Sequence, residues 1–352
     1  MIDRSLQRFA FLALLAAALF GASAPISKLL LANIKPLSLA GLLYLGSGLG
    51  LFLVWLIRRN SRIGAQESPL TCTDLPWLAG AVISGGIAAP VLLLWGLSGV
   101  FASDASLLLS TEGMLTTLIA AFAFHEAIDA RVWIASALMI AAGALLAYEP
   151  GASFGLSLHA LAIIAACGLW GLDNNLTRPI SGGDPVLIAM VKGLVAGSVN
   201  LALGQLTGAP WFPMGYACGA LLLGSLSYGA SLLCYILALR HLGSARTAAH
   251  FGTAPFIGAV LSVLLLGEPL TLTLLGAVVL MLVATWLVLT EKHSHAHTHS
   301  PLTHMHAHTH DAHHQHHHDG SEGPEPHTHK HRHTPLTHVH AHLPDLHHRH
   351  EH

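Results

Sequence analysis

Glu112 stands in the middle of an otherwise apolar stretch, with Ser110 and Thr111 before it and Gly113 after it. An ionisable group at a bilayer centre costs at least about 2.5–3.5 kcal/mol on insertion scales, so it asks for a cavity, a partner or a function. The chemistry open to it is uptake and release of a proton, or binding of a cation; the plainer alternative is a protonated acid making one structural hydrogen bond. Asp173, Asn174 and Asn175 form a second cluster, beside Gly171 and ahead of Thr177, Arg178 and Pro179. Three consecutive polar side chains point three ways around a helix, so at least one has to face protein or water. Asp173 suits a cationic group, with the asparagines offering neutral oxygens and N–H donors; a polar helix end with Arg178 snorkelling outward is the competing reading. Lys192 is followed by Gly193 and Gly197 at GxxxG spacing. It either faces inward, to neutralise Asp173 or Glu112 or to hold a carboxylate, or snorkels to the headgroups. Lys28 reads as a snorkelling cation with a gating role as the alternative, and His250 as hydrogen-bonded packing before a ligand. Glu126 and Glu268 read as caps for the helices that follow them. Glu112, Asp173, Asn174, Asn175, Lys192, His250, Lys28 and Arg178 are therefore the candidate polar lining of a cavity.

A different chemistry is written into the last 62 residues, which hold 24 of the 28 histidines. His295, His297 and His299, then His304, His306, His308 and His310, alternate with small or polar residues, and His313, His314, His316, His338, His340, His342, His347, His348 and His350 extend the supply. Pro301-Leu302-Thr303-His304 recurs as Pro335-Leu336-Thr337-His338 at a shift of 34. Imidazole is a borderline ligand, and dense histidine with nearby Asp311 and Asp345 offers many interchangeable sets, so the tail is expected to bind a divalent transition metal: Zn, Ni, Co or Cu. No cofactor is required elsewhere. An inert expansion and a polycation that charges on mild acidification are the alternatives. With no apolar core to form, the tail is expected to be disordered until something binds.

These side chains need a scaffold, and the rest of the chain supplies an apolar one. The 352 residues are 53% hydrophobic and 10% charged, against about 25% charged in soluble domains. A bilayer core accepts about 20 apolar residues as a helix. Ten such windows can be drawn: Phe9–Leu31, Leu37–Ile57, Trp77–Leu97, Ala102–Phe124, Val132–Tyr148, Leu158–Leu176, Val186–Leu206, Tyr216–Leu239, Ala245–Leu266 and Leu272–Leu289. The first is expected to be retained rather than cleaved as a signal peptide, because it runs on past Gly21-Ala22-Ser23-Ala24 into Pro25. The formal net charge of −2 excludes a strongly basic nucleic-acid binder, and Cys72, Cys167, Cys218 and Cys234 show neither zinc-site nor thioredoxin spacing. Neither a nucleotide-binding glycine loop nor a nucleophile motif points to an enzyme.

Orientation follows from Lys and Arg, which stay on the cytoplasmic side. With both termini inside, the inner segments hold Arg4, Arg8, Arg58, Arg59, Arg62, Arg131, Arg178, Arg240, Arg246 and Lys292, and the outer ones Lys35 and Lys28. The halves also repeat. Leu19-Phe20-Gly21 with Lys28 matches Leu169-Trp170-Gly171 with Arg178 at a shift of 150, and Phe124-His125-Glu126 matches Leu266-Gly267-Glu268 at a shift of 142. Five spans per half is an odd number, so the second copy enters the membrane from the opposite side. The organisation expected is 1–148 and 149–292 as two inverted five-helix repeats in an all-α integral membrane protein, and 293–352 as the tail.

Tyr235-Ile236-Leu237-Ala238-Leu239-Arg240, Gly243-Ser244-Ala245-Arg246-Thr247-Ala248-Ala249, Ala254-Pro255 and Leu264-Leu265-Leu266-Gly267-Glu268-Pro269 together resemble the EamA-type drug/metabolite transporter pattern. Ala105-Ser106, Glu112-Gly113 and His125-Glu126 form its weaker counterpart in the first half. The resemblance covers roughly residues 9–290 and implies a central cavity and alternating access for small metabolites, commonly as export. Glu112-Gly113 stands where Ala254-Pro255 stands in the second half, and the histidine tail is not a standard family part. The expected function is a secondary transporter in the plasma (inner) membrane, exporting a small metabolite by alternating access, with proton coupling through Glu112 and a metal-responsive histidine tail. A divalent metal transporter and a membrane-anchored metal sensor are the alternatives. Expected partners are the bilayer and a small-molecule or ion substrate, with no nucleic acid and with room for a homodimer.

Overall fold

The computed structural model describes residues 4–60, 70–124, 129–151, 155–181 and 183–290, and in the tail the segments 294–298, 303–308, 327–332 and 337–341. Ten rods of helix account for the apolar chain, each within a few residues of a window read from the sequence. The first is α1 (Arg4–Gly21) and α2 (Ser23–Leu30), which meet at Ala22. Pro25 there denies a donor to the carbonyl of Gly21, four residues back. The second is α3 (Pro36–Asn60). The third runs from α4 (Leu75–Ala81) through a π turn at Val82–Ala88 into α5 (Ala89–Gly99), and the fourth is split into α6 (Ala102–Leu108) and α7 (Thr111–Phe124). The fifth is α8 (Ala130–Ala147).

The second set has a similar plan. It comprises α9 (Leu158–Thr177), α10 (Pro185–Leu206), α11 (Met214–Gly224) with a π turn at Ser225–Ala230 and α12 (Ser231–Leu242), the split pair α13 (Ser244–Phe251) and α14 (Ala254–Leu266), and α15 (Leu272–Leu289). Both sets carry a π turn in the third rod and a break in the fourth. Among the described residues nine helical stretches are long and apolar enough to cross a membrane. The tenth, α9, has the length but includes Asp173, Asn174 and Asn175.

Several rods start on a local cap. Asp129 accepts from Arg131 N–H at 2.7 Å to begin α8, Asp184 from Val186 N–H at 2.9 Å to begin α10, and Thr271 from Leu274 N–H at 3.1 Å to begin α15. The capping role expected of Glu268 is therefore taken by Thr271. Gly267, at φ 65°, turns the chain out of α14, and the Glu268 carboxylate reaches a different helix, α6. Glu126 lies outside the described residues.

Close packing of α3 on α10 joins the two sets. A Cβ on Gly193 would meet Gly48 N at 2.7 Å, and one on Gly197 would overlap the backbone of Leu45, so the GxxxG face of α10 is the contact surface. Leu39, Leu43, Leu94, Leu97, Leu107, Leu108 and Ile163 are fully buried in the main core.

In the tail, β1 (Ser294–Thr298) pairs antiparallel with β4 (Thr337–Ala341), and β2 (Thr303–His308) with β3 (His327–Arg332). These ladders differ from the expectation of a disordered tail. Alternation of histidine with a second residue type has the period of a strand, and that is the pattern the pairing follows.

Candidate functional site

The site is built around a backbone carbonyl that its own helix cannot serve. Pro90 has no N–H, so Gly85 O, five residues back in the π turn, lacks a helical donor. Tyr44 Oη donates to it at 2.7 Å and Trp170 Nε1 at 2.9 Å, and Trp170 Nε1 also reaches Tyr44 Oη at 3.2 Å. Asn200 Nδ2 serves the next two carbonyls, Gly86 O at 3.4 Å and Ile87 O at 3.3 Å. Gly85 itself has to be glycine, because a Cβ there would fall on the carboxylate of Asp173.

Asp173 is buried and paired. Lys192 Nζ donates to its Oδ1 at 2.7 Å and its Oδ2 at 2.6 Å, and Thr177 Oγ1 donates to Oδ1 at 3.0 Å. The two charged side chains are 7% and 19% exposed, which excludes snorkelling for Lys192. One helical position on, Asn174 Nδ2 donates to Glu112 Oε1 at 3.0 Å and to Thr116 Oγ1 at 3.2 Å. Asn175 Nδ2 donates to Thr116 O at 3.0 Å and Gly171 O at 2.8 Å. The asparagines thus tie α9 to α7, and Glu112 sits at the start of α7 just past the break in the fourth rod. Gly113 and Asn174 are exposed, and nothing lies within 4 Å of where a Cβ on Gly113 would be.

An aromatic row leads away from this polar cluster. Tyr44 lies 5.9 Å from Tyr228, Tyr228 5.9 Å from Phe20, Phe20 5.5 Å from Phe251, and Phe251 5.0 Å from Tyr235, all centroid to centroid. These rings come from α1, α3, α12, α13 and the second π turn. The arrangement puts a carboxylate, an ion pair and an apolar wall side by side, assembled from both sets of helices.

Of the eight residues expected to line a cavity, the structure brings Glu112, Asp173, Asn174, Asn175 and Lys192 together. Lys28 is elsewhere: its Nζ donates to Leu97 O at 2.6 Å and Val100 O at 2.7 Å, at the end of α5. Glu112 is ten residues beyond Ala102 on the same rod, roughly 15 Å at helical rise. His250 Nδ1 is 2.6 Å from Arg246 O on its own helix. Arg178 is part-exposed in the turn that follows α9. No group of three His, Cys, Asp or Glu gathers as a metal site among the described residues. Of the tail histidines, His295, His297, His304, His306, His308, His338 and His340 fall in the strands; His299, His310, His313, His314, His316, His342, His347, His348 and His350 lie outside the described residues. Tyr44, Gly85, Thr116, Trp170 and the aromatic row escaped the sequence reading. Gly85-Gly86 followed by Pro90 within one apolar run was the available signal for a helix irregularity there.

The model of the EamA-like transporter family matches this chain twice, over residues 7–148 and 157–290. The chain belongs to that family. An "Uncharacterized transporter" of Methanothermobacter thermautotrophicus is 27% identical over 271 residues, 72% of this chain and 78% of the relative. A "Probable terminal-alkyne amino-acid exporter" of Streptantibioticus cattleyicolor is 27% identical over 207 residues, 58% of this chain and 69% of the relative. A crystal structure with 17% identity superposes with a TM-score of 0.58, covering 79% of this chain and 95% of its own, and shares the fold. This EamA-family chain is a multi-pass integral membrane protein, and family and relatives alike make it a transporter of small molecules.

Proposed function

We propose that this EamA-family protein is a proton-coupled exporter of a small zwitterionic metabolite of the amino-acid type. It works by alternating access between two inverted five-helix repeats in the plasma (inner) membrane, with both termini cytoplasmic. The observation that carries the reading is the mid-rod carboxylate of Glu112, held by Asn174 next to the Asp173–Lys192 pair at the contact between the two sets of helices. A substrate ammonium meets Glu112, and a substrate carboxylate competes with Asp173 for Lys192. The apolar side group then lies along Tyr44, Tyr228 and Phe20. Proton uptake by Glu112 weakens its hold on the ammonium, which couples release to the proton gradient. The double family match and the shared π turn and helix break in each half support the repeat, and the Lys and Arg distribution supports the orientation. The amino-acid class is supported by the opposite charges of the site and by what the Streptantibioticus cattleyicolor relative is named for. The tail, as a divalent-metal-binding segment on the cytoplasmic face, adjusts transport to metal supply.

Counterflow in vesicles with a panel of radiolabelled amino acids, with and without an imposed pH gradient, tests the reading. Exchange of at least one zwitterion, driven by the gradient and lost in Glu112→Gln, is expected. Exchange of divalent metal ions instead, indifferent to Glu112→Gln, refutes it.

A further inference from the structure

The turn joining α5 to α6 is held at both sides by the charge that each helix end attracts. Lys28 Nζ, from α2, donates to Leu97 O at 2.6 Å, Val100 O at 2.7 Å and Ser98 O at 3.4 Å, around the C-terminal end of α5. Glu268, from the turn after α14, accepts Ala102 N–H on Oε1 at 2.7 Å and Ser103 N–H on Oε2 at 2.8 Å, the first amides of α6. A helix C-terminus carries partial negative charge and an N-terminus partial positive charge, and charge-assisted bonds are roughly twice as strong as neutral ones. Both contacts thus reinforce the same corner.

Two features separate this corner from ordinary capping. Asp129, Asp184 and Thr271 each cap the helix they begin, whereas Glu268 belongs to the second half of the chain and caps a helix of the first. Its bonds therefore cross the boundary along which the halves have to part. The helix it caps is also short and independent: α6 ends at Leu108, and α7, which carries Glu112, starts again at Thr111. Behind the corner α6 meets α14 where a Cβ on Gly258 would stand 2.8 Å from Ser106 Oγ and 2.7 Å from Gly21 O, so α1, α6 and α14 close together without side-chain bulk. Beneath α6 lies Cys167, fully buried, its Sγ donating to Leu108 O at 3.6 Å.

We propose that Lys28 and Glu268 are the bolt of one transport gate, holding α6 across the α2–α14 side of the protein and closing the site from that end. Release of both contacts frees α6 to tilt about the break at Leu109–Ser110 while α7 keeps Glu112 in place. The proposal rests on the transporter reading above, but its test needs no substrate.

In a chain carrying Cys72→Ser, Cys218→Ser and Cys234→Ser, Cys167 is the remaining thiol. With that chain reconstituted in sealed vesicles, a membrane-impermeant methanethiosulfonate reagent is added from either side. Lys28→Met and Glu268→Ala are each expected to raise the Cys167 modification rate about tenfold or more, from the face on which Lys28 lies, the scale set by loss of a charge-assisted hydrogen bond. Lys28→Arg is expected to stay near the parent rate. Unchanged rates in both variants overturn the proposal, and so does an equal rise from both faces, which marks general loosening. Absence of amino-acid counterflow from a parent whose Cys167 still responds to the bolt variants defeats the cargo reading and leaves the gate standing.

Discussion

Asp173→Asn tests how far the ion pair beside Gly85 holds the fold together. Asparagine keeps the volume and one carbonyl oxygen, so Thr177 retains an acceptor, but Lys192 is left as an ammonium four-fifths buried beside a neutral amide. Breaking a buried pair by removing one partner costs about 3–5 kcal/mol, and the partial exposure of Lys192 places this case near about 3 kcal/mol. At about 2–4 °C per kcal/mol for a chain of this order of size, the melting midpoint falls by about 6–12 °C. The double variant Asp173→Asn with Lys192→Met removes the uncompensated charge and is expected to recover most of that loss. Glu112→Gln stands in contrast, since a glutamine carbonyl still accepts from Asn174 Nδ2, and its midpoint shifts by less than about 2 °C. Thermal unfolding of the purified protein in detergent, followed by tryptophan fluorescence, measures all four chains. A single variant Asp173→Asn within about 1 °C of the parent, or a double variant no better than the single, refutes the reasoning.

Glu112→Gln is expected to lose the acceleration of counterflow by a pH gradient while keeping the protein folded; gradient-driven exchange at the parent rate returns Glu112 to a packing role. Gly85→Ala places a methyl on the Asp173 carboxylate and is expected to reduce folded yield by gel filtration at least several-fold, whereas Gly113→Ala, with open space around it, leaves the yield within about twofold. Truncation after Lys292 is expected to leave the helical core with its parent melting midpoint. In calorimetry of the full chain against the truncated one, tail-dependent binding of Ni, Zn, Co or Cu should be present at pH about 7.5 and lost near pH about 5.5, because protonation of imidazole below its usual value of about 6.5 removes the ligand lone pair. Equal metal uptake by the two chains counts against a binding tail.

The membrane rods were legible because their signal is local: an apolar run, a polar interruption, another run. Lys192 with Gly193 and Gly197 was legible in the same way, and its glycine face does pack on α3. What the sequence left open was partner choice. Lys192 had two carboxylates within reach of argument, and the geometry gives it Asp173, because the missing Cβ of Gly85 makes room for that carboxylate and leaves Glu112 to Asn174. Glu268 was read as a cap from its neighbours in sequence, yet the amides it serves are more than 160 positions away. No local pattern carries such a contact. The aromatic row was hidden for the same reason, since Phe20, Tyr44, Tyr228 and Phe251 belong to rods that meet only once folded.

Alanine scanning removes side chains, and at the Gly85 carbonyl there is none to remove. Tyr44→Phe or Trp170→Phe deletes one donor but leaves the oxygen and the other donor in place, with room for a water to take the lost bond, so each single replacement is partly self-repairing. Pro90 is the position that governs the oxygen, because any other residue there restores an N–H and invites the helix to reclaim it. A saturation screen of this protein would therefore rank Pro90, which makes no hydrogen bond to the carbonyl, above Tyr44 and Trp170, which each make one.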